Sequence, residues 1–324
     1  GARPEITEAM GMKLFDLHCD TLTECRKTGA ALRRNALQVD LERGPRRDGW
    51  IQVFAVFVPD TLRGEEAFCY ARDTLDFARQ EEKNNADALR FIRQADDLDR
   101  EDAGGLCRGI LAIEGGAALA GDTQHIEELY RYGVKLITLT WNGSNELGHG
   151  CLSGCPDGLT PFGKEALRKM ERIGIVPDVS HLNERGFWDV AELASRPFIA
   201  SHSVSAAVHP HPRNLTDLQF AAIRESGGLV GLNVCESQLG EQSFAQIERH
   251  LVHFLELEGE RTVAFGCDFD GADVPEEWNG ISVMERLYAY FLRRNFPAAC
   301  LERLFFQNAR DFFADALTKG LPIA

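Results

Sequence analysis

Short runs of near-continuous apolar residues recur eight times along the chain, at 13–16, 51–58, 109–113, 136–139, 175–178, 198–200, 229–233 and 263–266. Continuous rather than alternating hydrophobicity suits parallel strands buried on both faces. Most of the intervening stretches show helical spacing, at 65–83, 124–132, 161–173, 183–193, 216–226, 243–258 and 281–294. Strand followed by helix around eight positions predicts an α/β fold, a (β/α)8 TIM barrel. A doubly wound open sheet is the competing fold, but no Gly-rich phosphate loop follows the first run. Residues 297–317 predict one or two extra C-terminal helices over the outer face or the mouth.

A single barrel accommodates 324 residues, so residues 12–324 are expected to form one domain. Residues 1–11 match no element and read as an arm outside it. An apolar share of 44% with 26% charged residues argues against disorder. The formal charge of -15 comes without any basic block, which excludes a nucleic-acid partner. The longest apolar run, 50–58, is far short of the ~20 residues a membrane span needs. No secretory signal opens the chain, and its nine cysteines are odd in number and scattered. Free thiols in the cytoplasm are therefore expected.

In a barrel the loops after the strands converge over one mouth, so residues just past the strands share a site. Here those residues are of metal-ligand type: His18 and Asp20, Glu114, His181, His202 and Asp268. His18 and Asp20, two apart on extended chain, would share a face. Glu114 ends an apolar strand and precedes Gly115-Gly116, and a buried carboxylate there must be paired or metal-bound. Three imidazoles and two carboxylates suit two Zn2+ ions with open positions for water. Glu114 is the natural bridge, because the other ligands then divide into two pairs. Asp268 beside such a centre reads as general base and then general acid.

Each residue also has a plainer reading. His18 could be a hydrogen-bonded core histidine, Glu114 a salt-bridge partner of a barrel arginine, and Asp270 a turn cap. Arg213, behind Pro210 and Pro212, could grip a substrate carboxylate or pair with Asp217. Cys151 and Cys155 lack a second close pair and read as ordinary thiols. His125, His250 and His253 read as solvated or capping residues, His209 and His211 as loop residues. His149, in the glycine-rich loop 142–160, could approach the mouth.

Taken in order, seven motifs resemble the membrane dipeptidases, also called renal dipeptidase or dehydropeptidase, of the amidohydrolase superfamily. They are Asp16-Leu17-His18-Cys19-Asp20-Thr21-Leu22, Glu114-Gly115-Gly116, Leu139-Thr140-Trp141-Asn142, Asp178-Val179-Ser180-His181, Ala200-Ser201-His202-Ser203, Pro212-Arg213-Asn214 and Gly266-Cys267-Asp268-Phe269-Asp270-Gly271. The resemblance implies a zinc-dependent dipeptidase in which His18, Asp20 and Glu114 hold one zinc and Glu114, His181 and His202 the other. A hydroxide or water completes the bridge. It also implies that Arg213 binds the substrate's terminal carboxylate and that Asp268 handles protons. Trp141, Asn142 and Asn214 in the same motifs are expected to contact substrate. Asn308-Ala309-Arg310 resembles the family's C-terminal motif.

Two departures stand out. Trp141 occupies the place of a histidine in the animal enzymes, as in bacterial-type members, and indole can donate one hydrogen bond but take up no proton. Ala117 replaces the histidine after Glu114-Gly115-Gly116. Both keep open a different small amide, such as an N-acyl amino acid, and a non-catalytic metal or peptide binder is the third reading. The expected partner is a small dipeptide, L,L or L,D, with a homodimer allowed for.

Overall fold

The computed structural model describes residues 11–46, 49–99 and 105–319. All of the expected arm except Gly11 lies outside the described residues. Seven of the apolar runs form parallel strands: β1 (Leu14–Cys19), β2 (Trp50–Phe57), β4 (Cys107–Glu114), β5 (Val134–Thr138), β6 (Val176–Asp178), β7 (Val230–Leu232) and β8 (Val263–Phe265). They are ordered β6-β5-β4-β2-β1-β8-β7. The remaining run closes the barrel, because Ile199 bridges to Asp178 and Ala200 to Val230, both in parallel. A short strand that the apolar pattern missed, β3 (Leu89–Phe91), pairs outside β4.

Eleven α-helices surround the strands among the described residues: α1 (Thr21–Thr28), α2 (Gly64–Asn84), α3 (Gln124–Tyr132), α4 (Pro161–Ile173), α5 (Glu184–Leu193), α6 (Asp217–Ser226), α7 (Glu236–Leu239), α8 (Phe244–Glu256), α9 (Val283–Arg293), α10 (Ala298–Glu302) and α11 (Asn308–Ala316). Their ends follow local chemistry. Thr160 accepts a hydrogen bond from the Gly163 amide in front of Pro161 at the start of α4. Thr216 and Gln219 form a reciprocal capping box at α6, so Thr216 is the cap and Asp217 the first helical residue. Gly174 and Gly227 end α4 and α6 in the left-handed conformation.

Side chains from alternate strand positions, including Phe15, Leu17, Ile51, Val53, Ile110, Ala112 and Leu136, fill the barrel. Ala309, Phe312 and Phe313 of α11 belong to the same cluster, and Phe313 stacks on Phe15 with ring centroids 5.4 Å apart. The tail thus plugs the amino-terminal floor rather than covering the outer face or the mouth. Asn308 fixes it there by donating to the Glu260 and Val263 carbonyls, both at 2.8 Å. Among the described residues these side chains fill the floor of the barrel, at the end opposite the carboxyl-terminal mouth.

Strand alternation would turn His18 away from the mouth, since Phe15 and Leu17 already face inward. A register shift between Asp16 and Cys19 against β2 inserts an extra residue in β1. Such a bulge re-aims the residues that follow it. His18 therefore faces the mouth, while Cys19 packs on the helix side with Leu14. Asp20 is not on extended chain at all, contrary to the two-residue spacing argument. It occupies the position before α1, at φ -100 and ψ 10, and the turn brings it back to His18.

Candidate metal centre and substrate pocket

Glu114 stands at the centre of the mouth with its two oxygens facing different partners. Oε2 lies 3.1 Å from His18 Nε2, and Oε1 lies 3.0 Å from His181 Nε2 and 3.7 Å from His202 Nε2. His18 Nε2 is also 3.6 Å from Asp20 Oδ1 and 3.5 Å from Asp268 Oδ1. The six side chains come from the ends of five strand segments, with His18 and Asp20 sharing β1, and all are buried except Asp268, which is mostly buried. Three overlapping groups have ligand atoms within 4.8 Å of one another: His18-Asp20-Glu114, Glu114-His181-His202 and His18-His202-Asp268. The sequence-derived candidate ligands are therefore brought together; two of the groups coincide with the expected sets, and the third crosses them.

The hydrogen bonds behind the imidazoles decide what the front nitrogens carry. His181 Nδ1 donates to Asn142 Oδ1 at 2.9 Å. The Ser201 hydroxyl gives its proton to Asp178, so His202 Nδ1 donates to Ser201 Oγ at 2.8 Å. In neutral rings both Nε2 atoms are then bare lone pairs, yet they face each other at 3.0 Å. They also face an oxygen of Glu114. Acceptors gathered without a proton among them repel, and a cation removes the conflict. His18 Nε2, Asp20 Oδ1 and Glu114 Oε2 are likewise buried and make no hydrogen bond. Gly271 completes the cradle, since a Cβ there would lie 2.2 Å from Asp268 Oδ1 and 2.3 Å from Asp20 Oδ2. The donor set fits borderline-soft divalent metal ions bound through nitrogen and oxygen.

Electrostatics agree. Burial, with Arg213 nearby, lowers the His181 pKa to about 4, and burial with His18 and Arg213 holds His202 well below its usual range. Neutral imidazole is the state a metal requires. Burial works against charge on His18, but Glu114 and Asp20 outweigh it and raise its pKa well above normal. A bound cation would take the place of that proton. Burial lifts Asp268 to about 7, with His18 opposing and Glu114 reinforcing. His181 and Asp268 both adopt left-handed backbone, at φ 70 and φ 66, a conformation that ordinary residues keep only where the surroundings enforce it.

A cavity of about 400 Å³ opens onto this cluster, and Glu114, His181, Asp268, Trp141, Asn142 and Arg213 line it. Arg213 is only 6% exposed. Its guanidinium donates to the His202 carbonyl at 2.9 Å and to Ser203 Oγ at 3.4 Å, and its Nε has no partner. Among the described residues it makes no ion pair. Asp217, its alternative partner, pairs with His253 at 2.8 Å instead. Trp141 packs edge-on against Phe57, ring centroids 4.9 Å apart, and forms an aromatic wall beside His181.

Other candidates are placed differently. Asn214 lines a neighbouring cavity rather than this one, and its amide donates to the His209 and Gln238 carbonyls, tying two loops. Asn142 lines the pocket and also orients His181. Asp270 accepts from Thr21 Oγ1 and from the Gln38 amide, a tie between the last strand's loop and the start of α1. His250 is fully buried rather than solvated, accepting from the Ser205 amide and facing the Leu239 carbonyl. Sequence reasoning passed over Asp178 as a supporting residue. It accepts from Thr138, Ser180 and Ser201 and so sets the tautomer of His202. The signal was available: a carboxylate at the end of a both-faces-buried strand needs a partner as much as Glu114 does.

The family model described as "Membrane dipeptidase (Peptidase family M19)" matches residues 6–316. An uncharacterized protein in the pqqA 5' region of Klebsiella pneumoniae is 33% identical over 238 residues, covering 69% of this chain and 88% of that protein. A crystal structure of the dipeptidase AC, a metallopeptidase of family M19, superposes with a TM-score of 0.89 at 29% identity, covering 96% of this chain and 100% of that one. A metallopeptidase from Rhodobacter sphaeroides, liganded with a phosphinate mimic of the dipeptide L-Ala-D-Ala, superposes with a TM-score of 0.87 at 28% identity, covering 95% and 99%.

Proposed function

The chain belongs to the membrane dipeptidase family, peptidase family M19, and on that premise we propose that it hydrolyses free dipeptides at a dinuclear zinc centre held by His18, Asp20, Glu114, His181 and His202. It is a metal-dependent dipeptidase by family and by its structural neighbours. The choice of zinc, the count of two and the residue roles are our reading. Its main support is the convergence of the unprotonated His181 and His202 on one oxygen of Glu114, while His18 and Asp20 gather at the other.

When bound, the ions supply Lewis acidity for the scissile carbonyl and lower the pKa of water. The chain's own residues do the rest. Asp268 faces the pocket and takes a proton from the attacking water, then returns it to the leaving amine. Arg213 holds the terminal carboxylate, because a buried guanidinium without an anionic partner is costly and a substrate carboxylate provides one. Trp141 and Phe57 wall the pocket, and Asn142 keeps His181 oriented. The closed floor and modest cavity favour two-residue substrates over longer chains. Every residue invoked comes from one chain, so a homodimer would not be needed to complete the site. No helix among the described residues is long and apolar enough to cross a membrane. Nine free thiols support our placing the protein in a reducing compartment.

The role of Arg213 is tested with L-Ala-D-Ala, the dipeptide mimicked in the Rhodobacter neighbour, and with its C-terminal amide. Losing one side of a buried charge pair costs about 2–5 kcal/mol. Arg213→Gln should therefore lower kcat/KM on the free acid by about 30-fold or more and barely change it on the amide. An equal loss on both substrates would refute carboxylate recognition.

A further inference from the structure

The loop that follows β5 carries a second cluster of ligand-type side chains, separate from the residues around Glu114. His149, Cys155 and Asp157 place a ring nitrogen, a thiol sulfur and a carboxylate oxygen within 4.8 Å of one another. Cys155 and His149 are partly buried, and Asp157 reaches solvent. The Ser144 hydroxyl meets His149 Nδ1 at 2.7 Å and fixes the ring.

The backbone under all three residues is held by one side chain and its own amide. Asn183 donates from its backbone N–H to the His149 carbonyl at 2.9 Å. Its side-chain amide donates to the Cys155 carbonyl at 3.0 Å and to the Asp157 carbonyl at 2.8 Å. The same side chain accepts from the Gly186 amide as the cap of α5, which makes it a rigid anchor. A trio of ligands positioned before any ion arrives loses little freedom on binding one.

We propose that His149, Cys155 and Asp157 form a further metal site, which takes a borderline divalent transition ion such as Zn2+ or Co2+ with water in the fourth position. One nitrogen, one thiolate and one carboxylate match such ions, and the sulfur selects against Mg2+ and Ca2+. The site staples the loop to the rest of the barrel. Its position matters because Asn183 lies two residues beyond His181, and the Cys151 amide of the same loop donates to the His181 carbonyl at 2.7 Å. An ion here would stiffen the rim that carries Trp141, Asn142 and the exposed Leu152 around the pocket.

Sulfur gives the test its readout. The centre around Glu114 contains only nitrogen and oxygen donors, and burial keeps Cys19 and Cys267 as thiols. Adding Co2+ to the metal-free full chain should give a near-ultraviolet thiolate-to-cobalt band beside the visible bands of nitrogen- and oxygen-bound cobalt. Cys155→Ser should lose the ultraviolet band and keep the visible bands. Asp157→Asn should keep the band but need at least ~10-fold more Co2+ to saturate it, the scale on which supporting groups affect metal affinity. Glu114→Gln should keep the ultraviolet band, which separates this site from the catalytic one. Visible bands without an ultraviolet band in the unsubstituted chain, or a band that survives Cys155→Ser, would overturn the proposal.

Discussion

Replacing Asp268 by asparagine is expected to lower kcat on L-Ala-D-Ala by about 10²–10⁴-fold, the usual range for removing a positioned acid-base group. Metal content and KM should stay close to those of the parent chain. Asparagine is the informative choice because residue 268 sits at φ 66, and asparagine tolerates left-handed backbone better than alanine does. Its shape is also unchanged beside Gly271, where no space is left for added atoms. The amide can neither accept the proton of water nor deliver one to an amine. Activity within a few-fold of the parent, measured with metal content verified, would remove Asp268 from the chemistry.

Changing Glu114 to glutamine should have a larger effect, through the metals rather than the proton. Each carboxylate oxygen faces its own set of imidazoles, and glutamine turns one of them into an NH2 donor that points at a ligand set. Both ions should be lost or greatly weakened. Activity should fall by about 10³-fold or more, equivalent to the several kcal/mol of Lewis-acid stabilisation a metal supplies. The metal-free variant should melt lower than the metal-free parent, because the Glu114 carboxylate is held ionised by His18 and His181 and its loss leaves the buried His18 with one anionic partner fewer. The melting temperature of metal-free parent and variant checks this. If Glu114 were only a structural ion-pair partner, the variant would likewise melt lower but would retain its metal.

The barrel was legible because strands buried on both faces must be apolar throughout, and seven of eight runs became ladder strands. The eighth pairs only through Ile199 and Ala200, yet its apolar signal was intact. Helix α1 was missed because Thr21–Thr28 is short and mixes threonines with charges, and its place is fixed by tertiary contacts of Leu22 and Cys25. Strand β3 spans only Leu89–Phe91, too few residues to show a period.

At the site, residue type and position after a strand were enough to pick out the side chains that gather around Glu114. What the sequence concealed was geometry that depends on a second segment. The bulge in β1 that aims His18 is set by pairing with β2. The partnership of Asn142 with His181 spans two loops, and His250 reads as an amphipathic-helix histidine until the Ser205 loop covers it. The His149-Cys155-Asp157 trio has no regular spacing, and Asn183 gathers it from another element.

The central claim is that Glu114 joins two ions into one hydrolytic centre. Zinc titration of the metal-free Cys155→Ser chain, with bound metal and L-Ala-D-Ala hydrolysis followed together, tests it most directly. The expected result is no turnover without metal and full turnover at two bound equivalents. Full activity in protein that holds no zinc, or no hydrolysis of any dipeptide once two equivalents are bound, would contradict it.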